Sequence, residues 1–137
     1  MSDYLQPAPL RDRVLAACVD FAAPVGVWIL LKKIGMPVLG LLLTMVYILL
    51  RDGAEGQSLG KRWRKIGVLN LDHELPATWK DSALRNMFLA LPFLGFVIAG
   101  VEAYLGLRDR DRRRFGDRFA HTMVVTLTSL RVEEESA

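Results

Sequence analysis

Three charged side chains sit in or beside stretches that are otherwise apolar: Arg13, Asp20 and Glu102. An ionised carboxylate at the centre of a membrane-inserted helix costs roughly 3 kcal/mol on insertion scales, so an apolar run that keeps one is expected to supply partners. The separation of Arg13 from Asp20 is close to two helical turns, which puts both on one face with a rise of about 10 Å between them. Two carboxylates brought together hold a proton or a cation, because like charges raise one pKa and a cation relieves the repulsion. With Arg13 as counter-ion, Asp20 and Glu102 form a candidate ion or proton site. The same three residues serve equally well as a structural polar lock between helices.

Other chemistry-bearing residues point to blander roles. Asp117, Arg118 and His121 make a secondary polar cluster whose default reading is a structural ion pair. Gly56-Gln57-Ser58-Leu59-Gly60-Lys61-Arg62 invites comparison with a phosphate-cradling loop. The comparison fails, because the first glycine would fall at Glu55 and Arg62 replaces the magnesium-binding Ser or Thr. A tight connector is expected instead, with the basic side chains Lys61, Arg62, Arg64 and Lys65 facing lipid phosphates. His73 and His121 have no ligand-spaced companions, and Cys18 is the one cysteine, so neither a metal site nor an intramolecular disulfide is expected. No Ser/His/Asp arrangement supports hydrolase chemistry, and the chain reads as a non-enzyme without cofactor.

These residues must be positioned by apolar elements. Of 137 residues, 52% are hydrophobic and 24% charged, and the charges fall in blocks rather than being scattered as on a soluble surface. Residues 34–50 and 86–101 carry no charge, and residues 14–31 carry only Asp20. Such runs lie near the lower limit for a helix crossing a hydrocarbon core about 30 Å thick. The net charge of +3 could suggest nucleic acid. Beside apolar runs, however, Lys and Arg mark cytoplasmic loops and anionic headgroups, and nucleic acid is not expected as a partner.

Taken in order, a first transmembrane helix is expected over about residues 10–31, entered from the cytoplasm behind Arg11 and Arg13. It ends in Ile29-Leu30-Leu31-Lys32 rather than a small-residue cleavage site, so it does not read as a cleaved signal. Pro24 and Gly26 are candidates for a kink. A second helix over about residues 37–50 returns to the cytoplasm. A basic cytoplasmic loop, 51–83, holds a strand near Ile66 to Leu71 and a helix start capped by Thr78. The third apolar run, 84–107, is interrupted by Pro92 and Gly95 and is followed at once by Arg108, Arg110, Arg112, Arg113 and Arg114. Either it spans and exports those arginines, or it breaks near Pro92 into a re-entrant hairpin that keeps both ends cytoplasmic. The second form is favoured. Only in that form do Asp20 and Glu102 lie at one depth. In the tail, 108–137, Thr122 to Thr128 reads as a second strand able to pair with the first, and Glu133 to Glu135 as a solvated end.

The order of motifs resembles the RDD family of small bacterial membrane proteins, named for an arginine and two aspartates. The likeness runs from Arg13-Val14-Leu15-Ala16-Ala17-Cys18-Val19-Asp20 through Gly56 to Arg62, Ile66-Gly67-Val68 and Arg85-Asn86 to Asp117-Arg118-Phe119-Ala120-His121-Thr122-Met123-Val124-Val125. Glu102 stands where the second aspartate is expected, and Phe115-Gly116 where a Leu-His commonly precedes the closing Asp. The resemblance implies a multi-pass membrane protein, with sodium/proton exchange proposed for some relatives.

The expected architecture is therefore an all-α membrane protein: two transmembrane helices, a broken or re-entrant third segment and a small cytoplasmic β element. It would lie in the bacterial inner membrane, N-terminus cytoplasmic, among membrane lipids. Two functions follow. One is cation/proton-coupled transport at Arg13, Asp20 and Glu102, which needs a homo-oligomer or membrane protein partner to enclose a path. The other is a non-transporting scaffold or assembly factor whose basic face binds lipid or protein.

Overall fold

A computed structural model describes residues 6–91 and 94–127 of the chain. Two antiparallel helices come first. Helix α1, Leu10–Lys33, continues through Pro24 without a break. Its 24 residues at 1.5 Å each give about 36 Å, and it is long and apolar enough to cross a membrane. Gly35, at φ +81°, turns the chain into α2, Pro37–Leu50, which opens on a proline that fits the first helical turn. The 14 residues of α2 reach about 21 Å. The helices pack closely where Gly40 meets Trp28, and the Thr44 hydroxyl donates across the seam to the Pro24 carbonyl at 3.2 Å.

The loop after α2 is more ordered than expected. It contains α3, Leu59–Arg64, strand β1, Ile66–Asn70, a two-residue strand β2, Leu75–Pro76, and α4, Trp79–Asn86. Thr78 caps α4 as expected, and Asp81 completes a capping box by accepting from the Thr78 amide at 2.8 Å. After the described stretch resumes come α5, Leu94–Arg108, α6, Phe115–Phe119, and strand β3, Thr122–Thr126. Pro92, Thr128 and the acidic residues 133–135 lie outside the described residues.

The expected strand pairing is present: β1 and β3 are antiparallel, with Val68 opposite Val124, in a sheet ordered β2-β1-β3. The Ala8 amide donates to the Val124 carbonyl at 2.9 Å, so the segment before α1 covers part of the β3 edge. Ile66, Val68 and Val124 pack with Ala16 of α1, which seats the sheet against the first half of that helix. The architecture is thus mostly helical, and the expected small β element is a three-stranded sheet.

The distribution of polarity is inside-out relative to a water-soluble domain. Large apolar side chains face outward along α1, α2 and α5, with Leu30 64%, Val38 69% and Phe96 73% exposed. Asp52, Ser82, Arg85, Asn86 and Asp117 are fully buried. Large apolar side chains exposed along the outer faces of three helices are stable only against an apolar surrounding.

Two glycines set how closely the polar interior closes. A Cβ on Gly60 would stand 2.1 Å from the Ala16 carbonyl oxygen, and one on Gly116 would stand 2.0 Å from that of Arg85. Gly26 and Gly100 have nothing within 4 Å. Gly60→Ala and Gly116→Ala should each destabilise the purified protein by about 1–3 kcal/mol in thermal unfolding, the usual scale of overpacking. Gly26→Ala and Gly100→Ala should be neutral or stabilising by up to about 1 kcal/mol, as expected in helix interiors. Equal effects at all four positions would contradict this packing.

Candidate functional site

The buried polar groups form a continuous network built from every helix. Asp20, two turns and more into α1, is 1% exposed and turns toward α3. Its carboxylate accepts from the Gly60 amide at 2.8 Å, from the Ser58 hydroxyl, and from the Tyr47 hydroxyl of α2 at 3.4 Å. Ser58 is also the N-cap of α3, accepting from the Lys61 amide. The Gly56 to Arg62 segment therefore does hold an anion at a helix start, and the anion is the protein's own Asp20.

Asp52, directly after α2, gathers the next layer. Lys61 Nζ donates to its Oδ1, and Asn86 Nδ2 donates to its Oδ2 at 3.1 Å. The Nε atoms of Arg85 and Arg51 stand 3.7 and 3.9 Å from the same Oδ2. The Asp52 amide donates to Ser82 Oγ at 3.1 Å, and the Ser82 hydroxyl donates to the Leu49 carbonyl at 2.8 Å, which pins the end of α2 to α4. Burial alone would raise the Asp52 pKa, but Lys61, Arg85 and Arg51 outweigh it and hold the carboxyl well below the usual carboxylate range. Burial lowers the Lys61 ammonium to about 7 against the opposing pull of Asp52, with Arg85 and Arg51 adding to the fall.

Arg85 then links this hub to Asp117 of α6. Its Nη2 lies 2.6 Å from Asp117 Oδ1, and Arg13 of α1 reaches Asp117 Oδ2 at 3.4 Å. Arg114 approaches Asp117 Oδ1 at 3.5 Å and Glu102 Oε2 at 3.6 Å. Glu102 also accepts from the Gly116 amide at 3.2 Å. Burial again acts to raise the Asp117 pKa, and Arg85, Arg114 and Arg13 together hold it below the usual range. Arg85 of α4 and Glu102 of α5 therefore both meet α6.

Arg13, Asp20 and Glu102 thus belong to one buried network, but among the described residues no hydrogen bond or ion pair joins any two of them. Asp20 addresses the start of α3, Glu102 the start of α6, and Arg13 pairs with Asp117. The secondary cluster does not assemble. Asp117 points inward, whereas Arg118 is exposed and pairs with Asp109 at 2.8 Å, and exposed His121 stands 3.5 Å from Asp72. Successive residues on a helix point about 100° apart, so Asp117 and Arg118 cannot share a partner on one face. Lys61 is not lipid-facing either, because the Asp52 carboxylate draws it into the interior. Arg64 is partly buried and donates to Asp12 through Nε at 3.0 Å, while Arg62 and Lys65 are exposed.

Sequence reasoning missed Asp52, Arg51, Arg85 and Arg114. A signal for the α4 members was present: Ser82, Arg85 and Asn86 fall at i, i+3 and i+4, one polar helix face. Among the described residues no group of His, Cys, Asp and Glu is arranged to hold a metal ion.

The RDD family model matches residues 7–121, which takes in the whole network. The chain belongs to the RDD family. Membership and the length and apolar character of α1 together make this RDD protein a small membrane protein. No curated protein and no solved structure matches the chain.

Two outcomes follow for this RDD network. Arg85→Met leaves Asp52 and Asp117 without their shared cation and should cost about 3–5 kcal/mol in denaturant unfolding, the usual penalty for half of a buried pair. A loss below about 1 kcal/mol would place Arg85 outside the core of the network. Acid should unfold the protein through the same carboxylates. Their folded pKa values lie below the unfolded ones, so their stabilisation is present above about pH 4 and is lost as pH falls through the folded values. Asp52→Asn should lower stability at pH 7 and flatten the acid limb. An unchanged acid limb would show that Asp52 is not among the groups that titrate.

Proposed function

We propose that this RDD protein is a non-transporting multi-pass scaffold of the bacterial inner membrane, N-terminus cytoplasmic, in which the buried charges lock helices together. In this reading α1 and α2 form a transmembrane hairpin. The segment between Arg85 and Glu102 re-enters from the cytoplasmic side, and the sheet with α3, α4 and α6 forms a cap at the headgroup level. Outward aromatic side chains on the cap, Trp63, Trp79, Phe115 and Phe119, suit an interface, and exposed Arg62 and Lys80 suit anionic headgroups.

The observation that carries the lock is the engagement of each carboxylate. Asp20 and Glu102 satisfy backbone amides at the starts of α3 and α6, and Asp52 and Asp117 are each surrounded by three cations. Cation/proton-coupled transport would ask Asp20 and Glu102 to share one exchangeable ion. Their separate partners argue against that.

Proton flux in liposomes separates the two functions. The lock predicts no cation-dependent flux for the wild type, and reduced stability for Asp20→Asn and Glu102→Gln. Flux in the wild type that disappears in both variants while they remain folded would overturn the scaffold reading. Cysteine labelling of engineered cysteines tests the topology independently: positions in the 51–83 loop and near Arg110 should be labelled from the same, cytoplasmic, side. Labelling of Arg110→Cys from the opposite side would exclude the re-entrant segment.

A further inference from the structure

A groove of about 280 Å³ opens between α1, α2 and the start of α5. Phe21, Trp28, Leu41, Ile48, Leu89 and Phe96 supply its walls. Its Thr44 hydroxyl is already committed to the carbonyls of Gly40 and Pro24, so the walls offer a ligand almost nothing but hydrocarbon. A packed helix is about 10–12 Å across, which this volume does not admit, whereas an alkyl chain fits.

The polar network adjoins one end of that groove. The Phe21 ring that lines it also carries the Arg51 guanidinium, with Cζ 5.1 Å from the ring centroid. Arg51 is 8% exposed, and its buried Nε and Nη1 have no hydrogen-bond partner among the described residues. The approach of Nε to Asp52 at 3.9 Å is too long to be one, and Asp52 is already taken by Lys61 and Asn86. Arg85 Nη1, one layer away, is likewise unpartnered. The third wall is tied to this place, because the Leu89 and Ala90 amides donate to the Asn86 carbonyl. Guanidinium donors left without an acceptor in a buried site are costly, and each suits an anionic phosphate oxygen in charge and in hydrogen bonding.

We propose that the groove and Arg51 together bind an anionic phospholipid, one acyl chain along Phe21 to Trp28 and the headgroup phosphate on the Arg51 guanidinium. The site rests on the membrane placement proposed above. Native mass spectrometry of the detergent-purified protein tests it, with phosphatidylglycerol and phosphatidylcholine of identical chains offered in equal amounts. The wild type should retain the anionic lipid on the order of tenfold more than the zwitterionic one, equivalent to about 1.4 kcal/mol. Arg51→Gln should abolish that preference, and Val25→Trp, at a half-exposed groove position, should lower retention of both lipids. Each variant is checked for an unaltered circular dichroism spectrum. Equal retention of the two lipids by the wild type would overturn the site, as would a preference that survives Arg51→Gln or a retention unchanged by Val25→Trp. Displacement of the lipid by inorganic phosphate at equal concentration would also overturn it, by assigning Arg51 to a free anion. Recovery of the chain from the soluble fraction without detergent would instead overturn the membrane placement.

Discussion

Arg85 is held between two aspartates that come from distant parts of the chain, Asp52 after α2 and Asp117 in α6, and all three side chains are fully removed from solvent. A guanidinium taken out of water loses several kcal/mol of hydration, which is recovered only where carboxylates and hydrogen bonds surround it. The fold supplies the carboxylates by bringing α4 against both the end of α2 and the start of α6. Gly116 lets α6 approach the backbone at Arg85 itself, where any side chain would collide. Positions of α4, α6 and the α1–α2 pair are therefore coupled through one cation.

The same economy recurs at the helix starts. Short helices have too few internal hydrogen bonds to be stable alone, and their first amides need acceptors. Asp20 serves α3, Glu102 serves α6, and Asp81 serves α4, each from a different distance along the chain. A carboxylate inside an apolar helix thus does the work that water does at the surface of a soluble protein. The outer faces of α1, α2 and α5 remain apolar, and the polarity that holds the molecule together is kept within. In such an arrangement specificity comes from hydrogen-bond geometry, since lipid tails supply no hydrophobic drive between helices.

How much of this was legible in the sequence depends on the kind of signal. The positions of α1 and α2 follow from long apolar runs, the β1–β3 pair from β-branched stretches, and the start of α4 from Thr78, all local features. Asp20 and Glu102 are visible because each stands alone in an apolar run. Asp52 and Arg85 are not, because they sit among other polar residues where a charge is ordinarily solvated, and only the fold shows that this polar face is the inner one. Lys61 reads as a surface residue for the same reason. The helices α3 and α6, of 6 and 5 residues, were invisible because contacts distant in sequence stabilise them, not local propensity.

The coupling between Arg85 and Asp117 tests most directly whether the molecule depends on this shared buried charge. A double-mutant cycle of Arg85→Met and Asp117→Asn, read by reversible denaturant unfolding at pH 7, isolates their interaction from the rest of the network. The lock predicts that the two losses are far from additive, with a coupling on the order of 2–3 kcal/mol, because each single variant strands a charge that the double variant removes. Additivity within about 0.5 kcal/mol would contradict it, and would mean that the helices are held in place by their packing alone.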